Sequence, residues 1–260
     1  MYRSRVPIVN KRIALVALAA SLMFLIPARS DGALIAGSQL NINGDGTVGA
    51  TFLNWNCDAP GGPASCPAGT GDFGVAGSTG TFAQYNGTFG FMKDLSNSSQ
   101  PLNTPISLPN FMTFVLNSNE QIDLSFIPLG TDTPSTTCAS LTHCTPEVGA
   151  LVTAANPLGL SSFNLDQNGT GTAATFGILG TIRDSSGSSA PLSGTYTAQF
   201  NGQSPSGVLA LFAAAGPNGL TSTYSANLSF NIVPEPMSLS LMGIGLLGLG
   251  LLRRRQRNIE

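Results

Sequence analysis

Apolar and polar residues alternate with a period of two along much of the middle of this chain. In the segment 220–232, LTSTYSANLSFNI, every second residue from Tyr224 to Ile232 is apolar, and the residues between them are Ser or Asn. This period predicts β-strands with one buried and one solvated face. The same alternation occurs in 120–127 (EQIDLSFI), 171–184 (GTAATFGILGTIRD) and 194–200 (GTYTAQF), and more weakly in 34–42, 47–53, 79–91 and 111–116.

Sequences typical of turns separate these strands. They include Asn43-Gly44-Asp45-Gly46, Asn86-Gly87 and Ser185-Ser186-Gly187, whose residue types favour the backbone conformations of tight turns. Many short strands, each with one buried face and each followed by a turn, predict a mainly β domain with the fold of an antiparallel β-sandwich.

One segment has helical rather than strand periodicity. Ser204 can cap a helix N-terminus and Pro205 suits the first helical turn. The segment predicts one short amphipathic helix that connects two strands and covers an open end of the sandwich. Its apolar positions, which recur at helical spacing before a terminating Gly216, are Val208, Leu211, Phe212 and Ala215.

The first 30 residues have the three-part pattern of a secretory signal peptide. Basic residues occur within 3–12, an uncharged apolar run occupies 13–26, and Ala28-Arg29-Ser30 supplies small residues for a cleavage site. The apolar run is short for a membrane span, which favours removal by signal peptidase over retention as an uncleaved anchor. We therefore expect an exported domain at 31–232.

The C-terminal segment 233–260 combines three features in a fixed order. The motif Val233-Pro234-Glu235-Pro236 is followed by an uncharged apolar run at 237–252 and a basic tail at 253–260. The run predicts a transmembrane helix about 24 Å long at about 1.5 Å per residue, slightly short of a hydrocarbon core of about 30 Å. The basic residues that would keep the tail in the cytoplasm are Arg253, Arg254, Arg255 and Arg257.

This order of motif, short apolar helix and arginine cluster resembles the PEP-CTERM sorting signal of Gram-negative bacteria. The resemblance implies recognition by an exosortase, a membrane-embedded cysteine transpeptidase that removes the tail near the motif. It also implies a transient anchor in the inner membrane, followed by transfer to the cell surface or extracellular matrix of a bacterium that makes exopolysaccharide. A plain C-terminal anchor that is never cut is the alternative.

The exported part of the chain is acidic and poor in charge. Residues 31–233 contain two basic residues, Lys93 and Arg183, against eleven acidic ones, a net charge of −9. Because phosphate binding needs a basic surface, nucleic acid is excluded as a plausible partner. Intrinsic disorder is disfavoured, since disordered chains lack regular apolar alternation.

Four cysteines in an exported chain suggest two disulfide bonds. Their spacing favours the pairs Cys57–Cys66 and Cys138–Cys144, each closing a short loop. A metal site that uses the thiols with His143 is the rival interpretation, although the cysteine spacings differ from those of typical zinc motifs.

One segment resembles the first half of a calcium-binding loop. Asn41, Asn43 and Asp45 would supply oxygen ligands before Gly46, but position 12 of the loop would be Phe52 instead of a bidentate acid. We favour a tight hairpin turn there, and we expect no metal and no cofactor.

No catalytic motif emerges from the sequence. The chain has one histidine, no G-x-S-x-G segment, and no local pair of acidic residues that stands out. A non-enzymatic surface or matrix protein associated with exopolysaccharide is therefore the first hypothesis. A carbohydrate-binding module, with Trp55, Tyr85 and Tyr224 as candidate aromatics, is the second, although the alternation places Tyr224 on a buried face. A secreted hydrolase is the third and is disfavoured.

Overall fold

A computed structural model describes residues 34–59, 62–184 and 187–230 of the chain. The expected signal peptide at 1–30 lies outside the described residues. So do the sorting motif Val233–Pro236, the apolar run 237–252 and the arginines of the tail. Within the described residues, no helix has the length and apolar character needed to cross a membrane.

The described residues form thirteen β-strands, one α-helix and three short 3₁₀ helices, and the expectation of a mainly β fold with one short helix is confirmed. The helix, α1, is Pro205–Ala215, and the 3₁₀ helices are Gly80–Tyr85, Gly149–Leu151 and Gly216–Asn218. The strands are β1 (Gln39–Val48), β2 (Phe52–Trp55), β3 (Thr70–Val75), β4 (Phe89–Lys93), β5 (Leu95–Ser96), β6 (Leu108–Phe114), β7 (Gln121–Phe126), β8 (Pro134–Ser135), β9 (His143–Pro146), β10 (Asn164–Asn168), β11 (Gly171–Arg183), β12 (Ser189–Phe200) and β13 (Leu220–Phe230).

Eight of these strands form a closed, barrel-like ring in which each strand is antiparallel to its neighbours. The order around the ring is β1, β3, β4, β6, β7, β11, β12 and β13, and β13 pairs with β1 to close it. The ring order follows the chain order, so the strands run alternately up and down. The sequence predicted two facing sheets, whereas the pairing makes one sheet that closes on itself.

The alternation seen in the sequence separates the inside of the ring from the outside. On β13, Tyr224, Ala226, Leu228 and Phe230 are buried, and the residues between them face solvent. The interior is rich in aromatic rings that pack edge to face or offset, such as Trp55 against Tyr224 with 4.8 Å between ring centroids. Burial of these rings supplies most of the apolar area that stabilises a fold of this kind.

The two ends of the ring differ. At the end where β1 begins and β13 finishes, which we call the terminus end, the 3₁₀ helix Gly80–Tyr85 inserts Phe82 and Tyr85. Tyr85 stacks on Phe114 with centroids 4.3 Å apart, and Phe82 packs edge to face on Phe230. These fully buried rings close the terminus end.

At the opposite end, which we call the helix end, α1 connects β12 to β13. Ser204 caps α1 as expected, because its hydroxyl accepts a hydrogen bond from the backbone N–H of Gly207 at 3.2 Å. Val208 is fully buried, but Leu211 is exposed. The expectation that Leu211 faces the core is therefore wrong: α1 turns a narrower apolar face to the ring than its sequence suggested.

The predicted turn at Asn43–Gly46 is also wrong. These residues lie inside β1, which pairs with β13 without interruption from Gln39 to Val48. A Cβ atom on Gly44 would lie 2.8 Å from the hydroxyl of Tyr224. Glycine is needed there because the Tyr224 ring lies across the strand, not because the chain reverses direction.

A carboxyl group is buried at the terminus end. Glu120 is fully buried, accepts a hydrogen bond from the Tyr85 hydroxyl, and accepts a longer one from Gln84 Nε2 at 3.4 Å. Desolvation raises the pKa of Glu120, while the hydrogen bond from Tyr85 offsets part of that rise and the charge of Asp184 adds to it. The fold therefore favours the protonated form of Glu120.

This raised pKa makes a prediction about stability and pH. The contribution of Glu120 is most favourable below its unfolded pKa of about 4.3 and is lost as pH rises through the higher folded pKa. Glu120→Gln should therefore gain free energy of unfolding relative to the wild type as pH rises from about 4 to 7. Urea denaturation followed by the fluorescence of Trp55 measures this free energy of unfolding.

Tyr85→Phe is the control with the opposite effect. It should lower the free energy of unfolding by about 1–3 kcal/mol at pH 7, because it removes the buried hydroxyl that donates to Glu120. A free energy of unfolding of Glu120→Gln, measured relative to the wild type, that stays constant or falls as pH rises would contradict this assignment.

Candidate functional site

The outer face of β12, β13 and β1 is covered mostly by uncharged polar side chains, with Asp45 of β1 as the charged exception. Asn41 lies opposite Asn227 across β1 and β13, and Asn43 lies opposite Ser225. Asn227 Nδ2 donates to Asn41 Oδ1 at 2.5 Å. Further along the same two strands, the hydroxyls of Thr47 and Thr221 are 2.9 Å apart. These cross-strand contacts hold the polar side chains in a regular array.

Part of this array forms a shallow depression of about 630 Å³, which we call the polar groove. Among the residues that the structure describes, none that lines the groove is ionisable or aromatic. Amide and hydroxyl groups both donate and accept hydrogen bonds, so the groove suits a neutral ligand rich in hydroxyl groups. Its polar side chains are Asn41, Asn43, Thr195, Thr197, Ser225 and Asn227.

The sequence pattern contained these residues without identifying them as a site. Thr195 and Thr197 are the polar positions of the alternating segment at 194–200, and Ser225 and Asn227 are those of the segment at 220–232. Their spacing along each strand was visible. Their meeting on one face requires the pairing of β13 with both β12 and β1, which no local pattern encodes.

The proposed first half of a calcium loop does not form a loop. Asn41, Asn43 and Asp45 lie on one face of the extended strand β1. Alternate residues of a strand are about 6.6 Å apart, whereas the ligands of one Ca²⁺ each lie within about 2.6 Å of the ion. The strand geometry therefore prevents these three residues from surrounding one ion in the manner of that loop.

Asp45 instead belongs to a group of three acids beside the first disulfide. Asp72 is fully buried, and its Oδ1 atom accepts hydrogen bonds from the backbone N–H groups of Asp58 and Ala59, each at 2.9 Å. Desolvation, followed by the charges of Asp45 and Asp72, raises the pKa of Asp58. The contacts of Asp72 fix the loop after β2 against β3, which is a structural role.

Both expected cysteine pairs lie at disulfide distance, and no described cysteine is free. Cys57 and Cys66 close the loop beside Asp72, and Cys138 and Cys144 pack under α1 with Val208. The rival metal site that used thiols with His143 is wrong, because the sulfur atoms are bonded to each other.

The single histidine lies in a different cluster from the one considered in the sequence. His143 on β9 is opposite Asp166 on β10, and its Nδ1 atom is 2.6 Å from Asp166 Oδ1. Asp132 lies nearby, so three potential ligand atoms come within 4.8 Å of one another. The side chain of His143 is 64% exposed, and among the described residues no hydroxyl or thiol is hydrogen-bonded to it. The cluster therefore lacks the nucleophile that a hydrolytic triad requires.

The candidate carbohydrate-stacking aromatics are all inside the protein. Trp55, Tyr85 and Tyr224 are buried, and Trp55 donates its indole N–H to the carbonyl of Lys93 at 2.9 Å. None of the three offers an exposed ring face. The hypothesis of a carbohydrate-binding module that stacks sugars on these three rings is therefore wrong. Any contact with a sugar must use other groups.

Fold and surface together define an up-and-down ring of eight antiparallel strands with disulfide-closed loops and an uncharged polar groove on its outer face. No family model matches the chain, and neither a curated protein nor a solved structure matches it.

The pair His143–Asp166 makes a prediction that one titration can test. The hydrogen bond that the protonated ring donates to Asp166, and then the charge of Asp166, raise the pKa of His143 above its usual value. The pair therefore stabilises the fold below the unfolded pKa of about 6.5, and that contribution is lost as pH rises through the folded pKa. NMR of the ring protons of this single histidine should give a midpoint above about 6.5.

Two variants identify the cause of that raised midpoint. Asp166→Asn should lower the midpoint towards that of the unfolded chain in urea, because it removes the negative charge beside the ring. Asp58→Asn, in the other acidic group, is the matched control and should leave it unchanged. A wild-type midpoint no higher than that of the unfolded chain would contradict the ion pair.

Proposed function

We propose that this protein is an exported, non-enzymatic cell-surface or extracellular-matrix protein that associates with neutral exopolysaccharide through the polar groove. The observation that carries the proposal is the uncharged array of amide and hydroxyl groups on β12, β13 and β1. Its delivery would follow the PEP-CTERM route, with signal peptidase acting at the N-terminus and an exosortase at the C-terminus. The two disulfides support an oxidising compartment outside the cytoplasm.

Hydrogen-bond chemistry favours a polymer as the ligand. Each sugar hydroxyl that leaves water for an amide or hydroxyl of the groove gains only about 0.5–1.5 kcal/mol net. Without an exposed aromatic ring the groove lacks the large contact area that stacking supplies. A single sugar would therefore bind weakly, whereas a repeating polymer raises the effective concentration at many copies of the groove.

Charge favours a neutral polymer over an acidic one. The exported region 31–233 carries a net charge of −9, and its two basic side chains are engaged elsewhere. Lys93 Nζ donates to the carbonyl of Pro109 at 2.7 Å, and Arg183 forms an ion pair with Asp123 at 2.7 Å. Among the described residues, the groove therefore has no cationic side chain that could offset the repulsion between this acidic protein and a polyanion.

A secreted hydrolase remains the less favoured alternative. Its strongest feature is the raised pKa of Glu120, since perturbed carboxyl groups occur in active sites. Glu120, however, is fully buried behind Tyr85, where a polymeric substrate has no access to it.

Polysaccharide binding can be tested with a matched pair of double variants. Asn43→Ala with Ser225→Ala removes one cross-strand pair from the groove and should weaken co-sedimentation with a neutral glucan about tenfold, as expected for the loss of about 1.4 kcal/mol. Thr47→Ala with Thr221→Ala removes a pair on the same two strands outside the groove and should leave binding unchanged.

The ligand class is tested in the same experiment. An acidic polysaccharide such as alginate should bind less than the neutral glucan, and no new reducing ends should form in either. Equal losses in the two double variants, or no binding of neutral polymer by the wild type, would refute the assignment to the groove. Release of reducing ends would favour the hydrolase.

The delivery route makes a separate prediction about the C-terminus. The surface form should lack residues after about Pro236, because the two prolines keep Glu235 out of a helix and accessible to a processing enzyme. Replacing Pro234-Glu235-Pro236 by three alanines should leave a full-length species bound to the inner membrane. C-terminal peptide mapping of surface and membrane fractions measures both outcomes.

Removal of the arginines of the tail is the matched control for this experiment. Without Arg253, Arg254, Arg255 and Arg257 the apolar run loses its stop signal, so uncut protein should be released instead of retained. Recovery of peptides ending at Glu260 from wild-type protein at the cell surface would show that the tail is an ordinary anchor.

A further inference from the structure

The helix end of the ring contains a cavity of about 460 Å³. The terminus end is filled by Phe82 and Tyr85, but α1 only partly covers the helix end. Leu209 and Phe212 of α1 line the cavity and are half-buried. The opening is therefore built into the connection between β12 and β13.

The walls of this cavity are mostly apolar. Leu53, Phe163 and Phe176 line it from the ring and its adjoining loops, and Leu209 and Phe212 line it from α1. Polar side chains are fewer among the lining residues and include Asn97, Ser162 and Glu147. This composition, many apolar groups with a few polar ones, is typical of sites for small molecules.

A much smaller crevice adjoins the cavity on the side of the ring interior. It has a volume of about 30 Å³, shares Leu53, Phe163, Phe176 and Phe212 with the cavity and is also lined by Trp55. Its size is close to the share of liquid volume that one water molecule takes, so only the narrow end of a ligand could approach Trp55. A wide space beside a narrow crevice suits an extended chain better than a broad ring system.

Apolar walls that only water contacts forgo the free energy of burial, which is about 25 cal/mol per Å². A closed ring of eight strands can fill its interior with side chains or hold one small ligand. Here side chains fill the terminus end, whereas the helix end leaves a space whose volume lies within the usual range of about 300–1,000 Å³ for ligand sites.

The cavity and the ends of the described chain lie at opposite ends of the ring. The described residues begin and finish at the terminus end, where Gln39 pairs with Ser229. The strand β1 has ten residues and is therefore about 33 Å long. The ends of the described chain therefore lie about 33 Å from the helix end.

Charge selects among external ligands. Glu147 is the one ionisable residue in the lining among the described parts of the chain, and no described residue donates a hydrogen bond to its carboxylate. A fatty acid would place a second carboxylate beside it, without a cation to compensate. A hydroxyl head group could instead donate to Glu147 and bond to Ser162 or Asn97.

We propose that the helix-end cavity binds the alkyl chain of an uncharged, hydroxyl-bearing amphiphile, with the chain end directed towards Trp55 and the hydroxyl near Glu147. This site is separate from the polar groove on the outer face, so it does not depend on polysaccharide binding.

Fluorescence of Trp55, the single tryptophan of the chain, provides the test. The full chain is kept in a fluorinated surfactant, whose fluorocarbon tails mix poorly with alkyl chains, and titrated with a long alkyl alcohol brominated at the chain end. Bromine quenches tryptophan at short range. Saturable quenching is expected for the alcohol, and the carboxylic acid of the same chain length should bind at least about tenfold more weakly, a difference of about 1.4 kcal/mol. Glu147→Gln should reduce this difference between the two probes.

Two substitutions on neighbouring residues of α1 separate the cavity from general effects of hydrophobic surface. Ala213 and Ala214 are both exposed, and of these two residues only Ala213 lines the cavity. Ala213→Phe should fill the cavity and weaken the alcohol at least about tenfold, whereas Ala214→Phe should leave its affinity unchanged. If Ala213→Phe fails to fold, Ser162→Phe on another wall repeats the test.

Three results would overturn the proposal. Quenching that does not saturate in the wild type would show that no site exists near Trp55. Equal affinities in Ala213→Phe and Ala214→Phe would show that the alcohol binds elsewhere. An acid that binds as tightly as the alcohol would reject the uncharged head group.

Discussion

The antiparallel pairing of β1 with β13 determines the rest of the structure. It joins the first and last strands of the described chain over ten consecutive residue pairs, from Gln39 with Ser229 to Val48 with Leu220. Without it, the remaining ring strands would form an open, twisted sheet with one face of aromatic residues in contact with water. Closure gives each alternating strand a defined inner and outer side, so a single pattern of sequence specifies both the core and the polar groove. Because loop closure over such a long segment costs entropy, this pairing must be supported by the apolar burial that it makes possible.

The two ends of the ring show how the same scaffold can give different chemistry. At the terminus end, rings from the 3₁₀ helix Gly80–Tyr85 complete the core, and the cost of burying Glu120 is partly offset by the Tyr85 hydroxyl. At the helix end, the connection is an α-helix anchored by Val208 and by the disulfide beneath it. A helix lying across an opening cannot fill it as a set of inserted rings does. The functional candidates therefore lie on the outer face and at the helix end, while the terminus end supplies stability.

Local features of the sequence predicted much of the fold. The remaining features depend on pairing between distant strands, which local features do not reveal. Period-two alternation predicted most of the ring strands, Ser204 and Pro205 predicted the start of α1, and cysteine spacing predicted both disulfides. The closure of the ring could not be predicted, because alternation says that a strand has a buried face but not which strand lies beside it. Gly44 was misassigned for a related reason: glycine serves turns and close packing alike, and only the register of β13 places Tyr224 over it. The polar groove and the pair His143–Asp166 also depend on cross-strand register, so their residues were visible in the sequence while their proximity was not.

Ring closure has a further consequence for contacts between copies of the protein. Unpaired strand edges are templates on which other chains can add strands, and this addition leads to fibres and aggregates. Every ring strand here has a neighbour on both sides, and among the described residues the outermost side strands, β5 and β8, have two residues each. Pro134 in β8 lacks an N–H group to offer an incoming strand. Copies of the protein can therefore lie close together without backbone polymerisation, and contacts between them would depend on side chains and on whatever lies between the molecules.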